Sequence, residues 1–310
     1  MATRNRTRGS RAARALAWVL VLAVVAGAGI GGVVLLLRSL ETARPLAQGC
    51  FAGGYRLDPD QTANAALIVG TTVQRGLPAR AGTIGIATAM QESRMRPIDY
   101  GDRDSLGMFQ QRPSQGWGTP EQVQDPVYAT ETFFDHLVEV PGYTEMEVTE
   151  AAQAVQRSGF PDAYAQHEEM ARAFASALTG WSEAELTCRL APAQDTAGVP
   201  EAVVERLGRD LDVTASIRPA GAGEREVVVT LAAQAGDDVD RLAWAVAHAA
   251  VAAASETGAG QVTVGSRVWD RTLATGPSSP TGTDHPTWRP RTGADPMPAR
   301  GEVVISAGRR

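Results

Sequence analysis

The stretch from Met90 to Gly118 reads MQESRMRPIDYGDRDSLGMFQQRPSQGWG, and it decides the reading of the whole chain. It opens on the last turn of an amphipathic segment, 79–93, whose spacing predicts a helix. It then runs through Gly, Asp, Pro and Ser without sustained periodicity to residue 119, which predicts a loop too long to be a mere connector. Glu92 therefore stands near a helix C-terminus, where the dipole disfavours negative charge, with Met90, Met95, Met108 and Phe109 available to desolvate it. A carboxyl kept protonated in this way suits a general acid. Gly82 and Gly85 inside the helix point to a backbone that must be approached closely.

Helical spacing and caps extend outward from this stretch. Helices are expected over 61–74, 126–140, 149–157 and 161–178, so residues 50–190 read as an almost entirely helical domain. Residues 191–200, with two prolines and a glycine, read as a linker. After it, residues 201–310 read as a small α/β domain of about three strands and two helices, with a Pro/Gly-rich loop at 276–300. Phe133, Phe134 and Leu137 fall at core spacing, and His136 beside them faces solvent.

Composition narrows the function. All 29 basic residues are arginine, a bias of a GC-rich bacterial genome. Five of them precede residue 38, which leaves 24 against 35 acids, a balance of −11 that argues against a nucleic-acid partner. Residues 1–14 read as a basic cytoplasmic tail, and residues 15–37 form an uncharged run that would span roughly 34 Å as a single transmembrane helix. The positive-inside rule then places the N-terminus in the cytoplasm and residues 38–310 outside, after a stalk at 38–49. A cleavable signal peptide is the competing reading. Cys50 and Cys188, the only cysteines, are expected to pair, the alternative being two buried thiols. His136, His167, His248 and His285 show no ligand spacing with them, so neither a metal nor another cofactor is expected.

Glu92-Ser93, followed 15 residues after the acid by Gly107-Met108-Phe109-Gln110 with Ser105 just before, resembles the Glu-Ser and Gly-Leu-Met-Gln motifs of soluble lytic transglycosylases and related lysozyme-like proteins. Ala163 and Tyr164 resemble part of that family's Ala-Tyr-Asn-Ala-Gly motif, but the Asn is missing. The loop is also similar to lysozyme-like domains of actinobacterial anchored proteins, some belonging to conjugation or secretion machinery. The likeness covers about residues 50–190. It implies an α-helical lysozyme-like domain after the membrane helix, and cleavage of the β-1,4 bond between N-acetylmuramic acid and N-acetylglucosamine in peptidoglycan. Glu92 would be the catalytic acid, with Ser93, Ser105, Gly107, Met108, Gln110, Tyr164 and Trp117 supporting it or lining the sugar cleft. A hydrolase would draw a second carboxylate from Asp99, Asp102 or Asp104, and otherwise these acids are solvated loop caps. Expected partners are glycan strands, the cytoplasmic membrane through residues 15–37, and envelope-assembly proteins through the C-terminal domain. The alternative function is a catalytically inactive lysozyme-like scaffold that binds wall or partner proteins.

Overall fold

In the computed structural model the described residues are 48–194, 196–221, 224–231, 238–271, 287–292 and 297–307, with Trp18 and Gly32. Near Asp58 the chain starts its first long helix: Pro59 needs no donor at the first helical position, and the Gln61 side chain accepts the Asp58 backbone N–H at 2.9 Å. This helix, α1 (Pro59–Gln74), packs on α2 (Ala79–Ser93). Every residue of α2 from Ala81 to Ala89 is buried, because α4 (Pro126–Val138), α5 (Val148–Gln156) and α6 (Glu168–Leu178) also pack on it. A short α3 (Pro120–Gln124) leads into α4. The two glycines of α2 sit at the tight contacts. A Cβ on Gly85 would come within 2.8 Å of Ile68 and 3.0 Å of Phe134, and one on Gly82 within 3.2 Å of Val69.

Three short strands that were not expected join the almost entirely helical first part. β1 (Gly49–Ala52) pairs antiparallel with β2 (Tyr55–Leu57) and with β3 (Thr187–Arg189). Cys50 faces Cys188 in this register, and the two form a disulfide across 138 residues of chain. Strands of three and four residues are too short to show alternation, which is why periodicity did not predict them.

The second half has a larger sheet than expected. After α7 (Val199–Leu211) come β4 (Ala215–Gly221), β5 (Glu224–Thr230), α8 (Val239–Ala252), α9 (Ala254–Thr257), β6 (Gln261–Val264), β7 (Arg267–Asp270), β8 (Arg289–Pro290) and β9 (Glu302–Ser306). The strands form one sheet in the order β4-β5-β9-β6-β7-β8, with every neighbour antiparallel. Val227, Val229, Val262, Val303 and Ile305 are buried, and α7 and α8 pack against the sheet. The same two helices also pack on α1, and α8 on α6. That explains why α8 is buried continuously from Ala243 to Ala252: it is apolar all round because it is covered all round.

Residues Ala47–Arg310 form one compact unit, so the linker expected at 191–200 lies inside it. Polar side chains stitch its halves together. Arg206 of α7 donates to the Ala63 carbonyl of α1 at 2.7 Å and to Asp210 at 2.6 Å, and also pairs with Glu256. His248 Nδ1 meets the Ala177 carbonyl at 2.7 Å, and Trp288 donates to the Leu186 carbonyl at 2.9 Å.

The expected single transmembrane helix is corrected. Among the described residues no helix is long and apolar enough to cross a membrane. The longest, α1, has 16 residues and reaches about 24 Å, short of a ~30 Å hydrocarbon core. The run 15–37 lies outside the described residues apart from Trp18 and Gly32. The expected single-pass localisation thereby loses its support among the described helices.

Candidate active site

Glu92 occupies the last turn of α2, just before the helix terminates in two successive left-handed residues, Arg94 (φ 57°) and Met95 (φ 56°). Met95 is drawn fully into the core by this turn, beside the equally buried Met108 and Phe109. Ser93 then joins the two parts of the sequence pattern: its hydroxyl donates to the Met108 carbonyl at 2.7 Å and accepts the Arg96 N–H at 3.1 Å.

The loop after α2 is closed by backbone. Leu106 and Gln111 exchange N–H···O bonds of 3.0 Å in both directions, and Gly107 N donates to the Ile98 carbonyl at 2.8 Å. Gly107 has φ +75°, and a Cβ there would lie 1.9 Å from the Val123 carbonyl oxygen. The backbone conformation and the approach of the α3 segment each demand glycine. Phe109 stacks on Phe133 of α4 with ring centroids 4.6 Å apart, which locks the loop to the helical core.

Tyr164 completes the site from the far side of the sequence. It is fully buried, and its hydroxyl donates to Glu92 Oε1 at 2.6 Å. Gln156, the last residue of α5, donates its amide to the Phe109 carbonyl at 2.7 Å and lies beside the Glu92 carboxyl. Burial pushes the Glu92 carboxyl above its ordinary value, and the Tyr164 hydroxyl and then the Gln156 amide work against that rise by favouring the charged form. Burial also raises the Tyr164 phenol, with the Glu92 charge adding to it. Beyond Tyr164 the turn Ala165–His167 holds the neighbouring Gln91, whose Oε1 contacts Gln166 Nε2 at 3.1 Å and His167 Nε2 at 3.0 Å. The His167 imidazole is pulled below its ordinary value by burial and then by the Arg94 charge.

The other expected residues fall into distinct surroundings. Gln110 braces the loop, donating to the Tyr100 carbonyl at 3.2 Å and the Gly107 carbonyl at 3.3 Å. Ser105 is buried, its N–H on the Asp102 carbonyl. Trp117 is stacked on His136 with centroids 4.2 Å apart. Asp104 accepts from the Ser114 N–H at 2.8 Å and from Arg112 at 2.9 Å, which hold its carboxyl far below the usual range. Asp99 and Asp102 are exposed. Residues that the sequence did not point to are Gln156 and the stretch 157–162 between it and the Ala163-Tyr164 pair. The only local signal was a helix end at Arg157, which caps α5 in the left-handed region without the usual glycine.

What the arrangement can do chemically is hold one carboxyl partly out of water, with a raised proton affinity and a fixed orientation. No protein-family model matches the chain, and no curated protein matches it.

Proposed function

We propose that the protein cleaves the β-1,4 glycosidic bond between N-acetylmuramic acid and N-acetylglucosamine in peptidoglycan, with Glu92 as general acid and then general base. The observation that carries the reading is the desolvated Glu92 carboxyl held by Tyr164 at 2.6 Å. The Glu-Ser and Gly-Met-Phe-Gln segments, tied together by Ser93 and the Met108 carbonyl, add to it. In the first half of the reaction the Glu92 proton passes to the glycosidic oxygen as the bond to C1 breaks and positive charge develops on the sugar. In the second half the 6-hydroxyl oxygen of the same sugar attacks C1 and gives its proton to Glu92, releasing an anhydro sugar without consuming water. This sequence needs one carboxyl, which suits a loop whose Asp104 is committed to Arg112 and Ser114. The test is mass spectrometry of the products released from peptidoglycan sacculi by the full chain. Anhydro-muropeptides are expected, and products with reducing ends would replace this mechanism with hydrolysis.

A second reading, a lysozyme-like scaffold that binds glycan without cleaving it, is favoured by one departure from the family pattern. Ala165 follows Tyr164 where the resembling motif carries Asn. Sacculi that bind the protein and release nothing would establish that reading.

A further inference from the structure

The loop 157–163 has both ends on the Glu92 site. It begins at Gln156, whose amide holds the Phe109 carbonyl, and it ends at Tyr164, whose hydroxyl holds Glu92. Its backbone is pinned between those ends. Gln153 Nε2 donates to the Ser158 carbonyl at 2.9 Å, Phe160 N donates to Ser158 Oγ at 3.2 Å, Thr149 Oγ1 donates to the Pro161 carbonyl at 2.6 Å, and Ala163 N donates to the Phe160 carbonyl at 3.2 Å. None of these bonds involves the Phe160 ring, which is 78% exposed.

The loop that directly follows Glu92 in sequence repeats the pattern. Tyr100 is 69% exposed, while Gln110 holds its carbonyl and a Cβ on the next residue, Gly101, would lie 2.0 Å from Gln110 Oε1. Neither ring has an aromatic or cationic partner among the described residues. Trp117, in contrast, is stacked on His136, and the exposed Trp181 carries the Arg241 guanidinium 5.0 Å from its ring centroid. An apolar ring presented to water on a backbone already fixed offers a ligand buried area at little further ordering cost. Beside a glycosidic acid, the ligand whose chemistry fits a bare aromatic face is a pyranose ring, which presents an apolar C–H face while its hydroxyls stay hydrated at the edge.

We propose that Phe160, together with Tyr100, forms the aromatic platforms on which pyranose rings of the substrate stack, so that the loop orienting Glu92 also grips the glycan. This rests on the glycan-directed reading of the site. The test is calorimetric titration of the full chain with an N-acetylglucosamine tetramer, beside Phe160→Ala, Phe160→Trp, Tyr100→Ala and, as a control outside the site, Trp181→Ala. The Phe160 and Tyr100 rings are exposed, so their removal leaves the core intact. Phe160→Ala is expected to bind about tenfold more weakly, with Tyr100→Ala in the same direction. Phe160→Trp should restore the affinity, and Trp181→Ala should match the parent. In turnover, Phe160→Ala should raise KM and leave kcat within about twofold. Equal binding by the parent and Phe160→Ala overturns the platform, as does a parent that does not bind the tetramer. Cleavage of sacculi with binding independent of Phe160 would leave the catalytic reading standing and remove the platform. Phe160-dependent binding without any cleavage would do the reverse.

Discussion

At the scale of single residues, the site is a contest between burial and hydrogen bonding over one proton. Removing the Tyr164 hydroxyl takes away a bond that favours the carboxylate, so in Tyr164→Phe the Glu92 carboxyl should rise further. An acid works only while protonated, and its activity is lost as pH rises through its pKa. The alkaline limb of the rate profile should therefore move to higher pH in Tyr164→Phe, and an unmoved limb would remove Tyr164 from the site. The same shift makes a stability prediction. A carboxyl whose folded-state pKa is raised contributes stability below its unfolded value and loses that contribution as pH rises through the folded one. Glu92→Gln, neutral throughout, should melt at a higher temperature than the parent at pH 7, and the gap should close near pH 4. Thermal denaturation at the two pH values checks both the sign and its pH dependence. Much of this was legible in the sequence: Glu92, Ser93, Gly107, Met108 and Tyr164 lie in patterns that name them, and the structure brings them together. Gln156 was not legible, because a glutamine at the end of an amphipathic helix carries no signal until its amide is seen on the Phe109 carbonyl. Trp117 shows the converse: its place in the loop was legible, but the partner that its ring stacks on, His136, was not.

Among elements, glycine contacts and one disulfide set the geometry. A Cβ on Gly70 of α1 would lie 2.2 Å from the Asp210 carbonyl oxygen of α7, a backbone atom that cannot swing aside. Gly70→Ala should cost about 1–3 kcal/mol, read as a fall in denaturation midpoint, and no change would mean that the helices separate freely. The Cys50–Cys188 bridge closes the sheet that holds the chain ends of the helical part together. Replacing both cysteines with serine should cost about 2–5 kcal/mol in the same measurement. Helices were the readable elements, since caps such as Asp58 and Asp125, each followed by a proline, and a 3.6-residue spacing mark them locally. Strands were not. β1, β2 and β3 are defined by partners far along the chain, and β4 ends in Pro219, Ala220 and Gly221, a composition that reads as loop until β5 pairs with it. The helix expected from Pro161 in fact starts at Glu168, because the intervening residues are used to bring Tyr164 to Glu92.

For the whole molecule, composition and linker signals suggested two domains, yet α7 and α8 are shared between the helical half and the six-stranded sheet. The sequence hid this because an Ala-rich helix looks the same whether one face or both are covered. Arg206, His248 and Trp288 each bond across the boundary, so the halves should unfold together. The full chain should show a single calorimetric transition, and two resolved transitions would contradict the shared core. That shared core is also the frame that holds α2, and with it Glu92, at a fixed place in the molecule. The most direct test of its chemistry is the initial rate at which the full chain and its Glu92→Gln variant release soluble fragments from peptidoglycan sacculi. A single general acid predicts release by the parent and a fall of about 10²- to 10⁴-fold in the variant, with the amount of protein bound to the sacculi unchanged. A variant that releases fragments at the parental rate would contradict the assignment of Glu92, and with it the proposed activity of this site.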